Sequence, residues 1–241
     1  MTLKPFASLA LCLCTGMLLT PLTPTAALEQ HLRKSPALAP RSTEPAKPVE
    51  ENQCLSGSMG EWMSRERIVF VTGEINADLS ESVIAQLLYL DAQAPGQDIY
   101  LYINSGGGFI TAGLAILDVM RSLRSEVVTV SLGASSSMAS LLLANGSRGK
   151  RFVLPNSRIM IHQPSSEAYG KASDIAIEAK EIGYFKSKLN RMLAEMTGQS
   201  LSRIEADTDR DFFMSAEEAK AYGLVDGIVK RLPSASNPTG K

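Results

Sequence analysis

Three consecutive serines, Ser135, Ser136 and Ser137, stand in the segment GASSSMAS (133–140), directly after an apolar run. A serine hydroxyl attacks a carbonyl only when a neighbouring base takes its proton. The chain has two histidines, His31 and His162. His31 belongs to a polar N-terminal stretch, so His162 is the single imidazole available to the rest of the chain. It closes a second apolar stretch just before Pro164, and in parallel sheets sites are built where strands end. A helix starting at the serines would offer backbone N–H groups and a positive dipole end to a developing oxyanion. Serines at a helix start also act as caps, and one of the three is expected to do so. A match to the G-x-S-x-G elbow points to Ser135, but Ser137 stands where the final glycine is required. From the residues alone the nucleophile stays open among the three.

Other chemistries find less support. The stretch NSGGGF (104–109) lets backbone approach a ligand closely, yet its glycines miss the G-x-G-x-x-G register and no phosphate loop is present. An oxyanion hole or a groove for extended peptide fits it better. Cys12, Cys14 and Cys54 are the only cysteines, and without a C-x-x-C pair or H-E-x-x-H no metal site is expected. A formal net charge of −1 gives no basic surface for nucleic acid or anionic membrane.

The elements that must position these groups follow from hydrophobic patterning. RIVFVTG (67–73), DIYLYIN (98–104) and EVVTVSL (126–132) read as strands. Asp78 is expected to cap a helix ending before Pro95, a second helix spans 111–123, and the serines open a third. Strand and helix alternate three times, which implies parallel β-α-β units. KRFVLP and RIMIHQ are shorter strand-like pieces. A long helix capped by Ser173 or Asp174 carries Ile175, Ile182, Phe185, Leu189, Met192 and Met196 in one stripe and stops at Gly198. A helix over 216–222 and a strand DGIVKRL close the fold.

The segments DIYLYINSGGGFITAG, GASSSMAS, GKRFVLPNSRIMIHQP and DTDRDFFMSAEEAKAYGLVD, in this order, resemble the proteolytic subunit of the Clp protease family. The resemblance spans about residues 65–230. It implies an α/β fold, a ClpP/crotonase-like core of repeated β-α-β units with the helix 173–197 as a protruding handle. It also implies a Ser-His-Asp triad: Ser137, which precedes Met138, then His162 in MIHQP, and Asp211 in DRDFFMSA. Backbone N–H groups of Gly108 and Met138 would form the oxyanion hole. Tyr100 and Tyr102 match positions that receive loops of a partner AAA+ Clp ATPase. ATP would be used by that partner, so no cofactor is expected in this chain. Its substrates would be unfolded polypeptides, and self-assembly would give two stacked heptameric rings, with or without paralogous subunits. No nucleic acid or membrane partner is implied.

The chain departs from the family pattern at Gly106, where proline is usual, and at Ser166-Glu167, where two glycines are usual. The tyrosine-rich segment before the first strand is replaced by SGSMGEWMSRER. The domain expectation is a leader and disordered linker over 1–56, a peptidase domain over 57–232 and a disordered tail over 233–241. The family resemblance implies a cytoplasmic location, whereas Lys4 and the apolar stretch before Thr25-Ala26-Ala27 have the layout of a secretory signal. A catalytically silent ring subunit is the alternative function. An acyl-CoA enzyme of the crotonase type is disfavoured, because it has no need of Ser137 and His162 together.

Overall fold

The computed structural model describes residues 53–240. The expectations for the leader, including Cys12, Cys14 and His31, lie outside the described residues. In chain order the elements are α1 (Gln53–Glu66), β1 (Ile68–Ile75), α2 (Ala77–Gln93), β2 (Ile99–Gly108), α3 (Ile110–Ser122), β3 (Val127–Ser136) and α4 (Met138–Ala144). They continue with β4 (Arg151–Val153), β5 (Arg158–Ile161), α5 (Ala172–Thr197), α6 (Leu201–Asp207), β6 (Phe212–Met214), α7 (Ala216–Tyr222) and β7 (Gly227–Ile228).

The sheet order is β1-β2-β3-β4-β7, all parallel, as the three β-α-β alternations require. Strand β3 is long enough to pair twice. Thr129–Ser131 pair with β4, and further on Ala134–Ser136 pair with β5, which also takes β6 as an antiparallel neighbour. Period-two alternation divides the sheet's side chains between two faces. Ile99, Leu101 and Ile103 of β2 join Val69, Val71, Leu117 and Leu142 in the main core, on the helical side. Tyr100 and Tyr102 join Ile68, Val128 and Val130 in a second cluster on the other face. Both faces of the sheet are covered, which is why these strands read as near-continuous apolar runs.

Several boundaries differ from the sequence reading. Asn76, not Asp78, caps α2: its Oδ1 accepts the Leu79 N–H at 2.9 Å, and Asp78 lies in the first turn. The glycines 106–108 continue β2, with irregular register against both neighbours. Ser135 and Ser136 extend β3 instead of opening a helix. An added helix, α1, precedes the first strand. Only two residues of DGIVKRL form strand β7. Neither Ser173 nor Asp174 is the cap of α5, which starts after Lys171 and ends on the left-handed Gly198.

The stripe of α5 is divided along its length. Leu189, Leu193 and Met196 are buried in the core, whereas every residue over 172–180 is exposed, Ile175 and Ile177 among them. The first turns of this helix therefore stand clear of the fold as a handle. Residues 233–240, expected to be a disordered tail, instead make specific contacts with the domain. Tyr102 donates its hydroxyl to the Pro233 carbonyl at 2.8 Å, and Ser236 donates through N–H and Oγ to Glu66. Those contacts satisfy a buried hydroxyl and hold the Glu66 carboxyl below its usual range, chiefly through the Ser236 hydroxyl and then that of Ser234. Among the described residues no helix is long and apolar enough to cross a membrane.

Candidate active site

The site is assembled by strand pairing at the carboxyl end of β3. There the chain leaves the sheet at Ser137, which has φ +54° and ψ −124°. A non-glycine residue in such a conformation costs about 1–3 kcal/mol and persists only when neighbours over-determine it. Here the Ser137 N–H donates to Met160 O of β5 at 2.9 Å, and its carbonyl accepts the Ser140 N–H and hydroxyl at 3.0 and 2.6 Å. Ser137 is the residue at the N-cap of α4, but its hydroxyl makes no capping bond. The sharp strand-to-helix turn leaves that hydroxyl free for another partner.

The partner is His162, one residue beyond β5. Its Nε2 lies 2.9 Å from Ser137 Oγ, and its Nδ1 lies 2.9 Å from Asp211 Oδ1. Parallel pairing of Ser136 with Met160 brings the serine beside the histidine, and antiparallel pairing of Ile161 with Phe212 carries the next pair outwards, His162 opposite Asp211. A carboxylate can only accept. Asp211 therefore holds the proton on Nδ1, leaving Nε2 as the acceptor facing the serine O–H. The imidazole side chain is 28% exposed and the Asp211 side chain 58%, and both line the wall of an open cleft of about 600 Å³.

Residues outside the triplet hold this geometry. Gln163 N–H donates to Thr208 O at 2.6 Å and its side-chain amide donates to Asp209 O at 2.8 Å, tying the segment after β5 to the one leading into Asp211. Thr208 is wholly buried and donates its hydroxyl to Ile204 O at 2.7 Å. At the end of β2, Gly107 (φ +100°) runs so close to the serine that a Cβ there would lie 2.7 Å from Ser137 Cβ, 2.9 Å from Ser136 O and 3.2 Å from Met138 N. Gly108 is as tightly constrained on its other side, by the Ile75 backbone, where a Cβ would lie 2.4 Å from the carbonyl oxygen. The Met138 N–H opens α4, where helical N–H groups have no acceptor within the helix.

The other serines take different roles. Ser135 is fully buried and hydrogen-bonded to Ser131 Oγ at 2.7 Å, so the elbow comparison selected a structural hydroxyl. Ser136 belongs to the β3–β5 ladder. Tyr100 and Tyr102 belong to the second cluster, on the other face of the sheet. They are only 2% and 3% exposed, and burial pushes the Tyr102 phenol up to about 12. Sequence reasoning named Gly108 but passed over Gly107, although three glycines in a row at a strand end were a visible sign of close backbone approach. Gln163 and Thr208 carried no sequence signal, since their partners are remote along the chain. No group of three or more histidine, cysteine, aspartate or glutamate side chains is placed to hold a metal among the described residues.

Comparison with known proteins agrees with this arrangement of elements. The family model described as Clp protease matches residues 52–232. The ATP-dependent Clp protease proteolytic subunit 1 of Gloeobacter violaceus is 51% identical over 185 residues, covering 74% of this chain and 94% of that protein.

Proposed function

The chain belongs to the Clp protease family of serine proteases, and from that premise we propose that it is an active endopeptidase subunit whose triad is Ser137, His162 and Asp211. The observation that supports this most directly is the pair of 2.9 Å hydrogen bonds on opposite nitrogens of one imidazole. His162 takes the Ser137 proton as Oγ attacks a peptide carbonyl, and returns it to the leaving amine. Asp211 keeps the ring in the required tautomer and stabilises its charged form. The N–H groups of Gly108 and Met138 receive the oxyanion, each such donor being worth about two to three orders of magnitude in rate. Water then attacks the acyl-enzyme, with His162 again as base.

In this reading the subunit works in a barrel of two stacked seven-membered rings, degrading unfolded polypeptides delivered by an AAA+ Clp ATPase that spends the ATP. The exposed first turns of α5 supply a surface for contact between rings. Tyr100 and Tyr102 serve a docked partner as the floor beneath exposed Phe70, which packs edge-on against Tyr102 at 5.4 Å. A cytoplasmic location is part of the same proposal.

Labelling of the purified full-length protein with a fluorophosphonate, followed by mapping of the modified peptide, tests the assignment. Label on Ser137 that vanishes in His162→Ala is the expected result. Label on Ser135 would overturn the choice of nucleophile, and an unlabelled assembled oligomer would make the chain a silent structural subunit.

A further inference from the structure

A second cavity of about 440 Å³ lies between the handle helix α5 and the ends of β1 and β2. It adjoins the site already described at two points: Gly108 and Ser165 line it, and Ser165 also lines the cleft in front of His162. Its apolar lining is built from Phe109, Ile182 and Phe185, and Phe109 as a residue is 61% exposed. Its rim carries Glu74 from β1 and Glu178 and Glu181 from α5, all exposed. Among the described residues none of these three carboxylates has a basic side chain within ion-pairing distance. Ser166 donates its hydroxyl to Glu178 Oε1 at 2.9 Å, so the segment following His162 is tied to this rim. Glu74 pairs across the sheet with Gly107, the residue that abuts Ser137.

We propose that this cavity is a substrate subsite selecting a lysine or arginine side chain next to the scissile bond, an inference that rests on the triad reading above. The chemistry of the lining is that of a long amphipathic side chain. A lysine or arginine stem lies along Phe109, Ile182 and Phe185 while its charged end reaches the carboxylates. Three carboxylates along a concave apolar wall focus the field more than scattered surface charges do. The same charges repel an acidic substrate side chain, so discrimination comes from repulsion as well as attraction. The departure at Ser166 gains a role here: a glycine in its place would leave Glu178 without the hydroxyl that fixes it.

The test uses the full-length oligomer and three matched fluorogenic peptides that differ only in carrying Lys, Leu or Glu beside the cleaved bond. Hydrolysis is measured for the native protein and for the double variants Glu178→Gln/Glu181→Gln and Glu178→Lys/Glu181→Lys, with fluorophosphonate labelling of Ser137 run on each. The native protein is expected to favour Lys over Glu by at least about tenfold in kcat/KM, the scale of one effective charge pair. The glutamine variant loses most of that ratio, and the lysine variant inverts it. A Lys-to-Glu ratio that charge reversal leaves unchanged, or failure to cleave the Lys peptide, with Ser137 labelled, overturns the subsite alone. Absence of label on Ser137 in the native protein overturns the triad reading and the subsite with it.

Discussion

Replacement of Gly107 by alanine puts the strained contact at the nucleophile to a quantitative test. The added methyl would lie 2.7 Å from Ser137 Cβ and 2.9 Å from Ser136 O, against a rigid turn that is hydrogen-bonded on both sides. Two costs add. A φ of +100° suits glycine and not alanine, a penalty of about 1–2 kcal/mol. Overpacking against backbone contributes about 1–3 kcal/mol more. The sum, about 2–5 kcal/mol, corresponds to a fall in Tm on the order of 5–15 °C for a domain of this size. Activity should suffer out of proportion, because relief of the clash displaces the serine, and about 1 Å of misplacement costs on the order of a hundredfold in rate. Thermal unfolding and the rate of fluorophosphonate labelling, measured on the same preparation, separate the two effects. Labelling at the native rate in a protein with a lowered Tm would refute the reasoning, since it would mean that the glycine backbone does not fix the nucleophile.

Asp211→Asn should reduce kcat/KM by about 10- to 100-fold, the worth of one charge-assisted hydrogen bond, and less than the loss of about 10⁴ typical of a buried triad aspartate. The smaller figure follows from its 58% side-chain exposure, and a change under threefold in peptide hydrolysis would remove Asp211 from the mechanism. Ser135→Ala should keep full labelling at Ser137 while costing about 1 kcal/mol of stability from the lost bond to Ser131, read by denaturant unfolding. Acid sensitivity is expected at Asp226. Burial pushes its carboxyl up, but hydrogen bonds from the Arg151 side chain and backbone, its charge, and the Gly149 N–H outweigh this and hold the value below the usual one. A depressed value means stability that is present above the ordinary carboxylate range and lost as pH falls through the folded-state value. Asp226→Asn should therefore flatten the acid limb of a stability-versus-pH curve, and an unchanged limb would show that other carboxylates govern it.

Much of the frame was open to direct reading from the chain. The apolar run DIYLYIN and the helix over 216–222 follow from local patterning, and the structure has a strand over Ile99–Gly108 and a helix over Ala216–Tyr222. Parallel topology followed from the alternation of strand and helix. The end of β3 was misread because the three serines carry a helix-start signal, whereas pairing with Arg158–Met160 keeps two of them in the sheet. That pairing is long-range, and no local propensity encodes it. The contact of Ser236 with Glu66 is non-local in the same way, the two residues lying 170 apart in sequence.

By itself the sequence determined where strands and helices alternate, which hydroxyls stand at a strand end, and that a single histidine follows them. Which serine faces that histidine was decided by tertiary structure, because it depends on a backbone turn held by a neighbouring strand. Asp211 stood among Asp207, Asp209 and Asp211 with nothing in its own residues to distinguish it, apart from the family resemblance. Antiparallel register across β5 and β6 separates it from the other two, setting its carboxylate against an imidazole 49 residues away in the chain. Side-chain type is local information; hydrogen-bond distance between remote segments exists only once the sheet has formed.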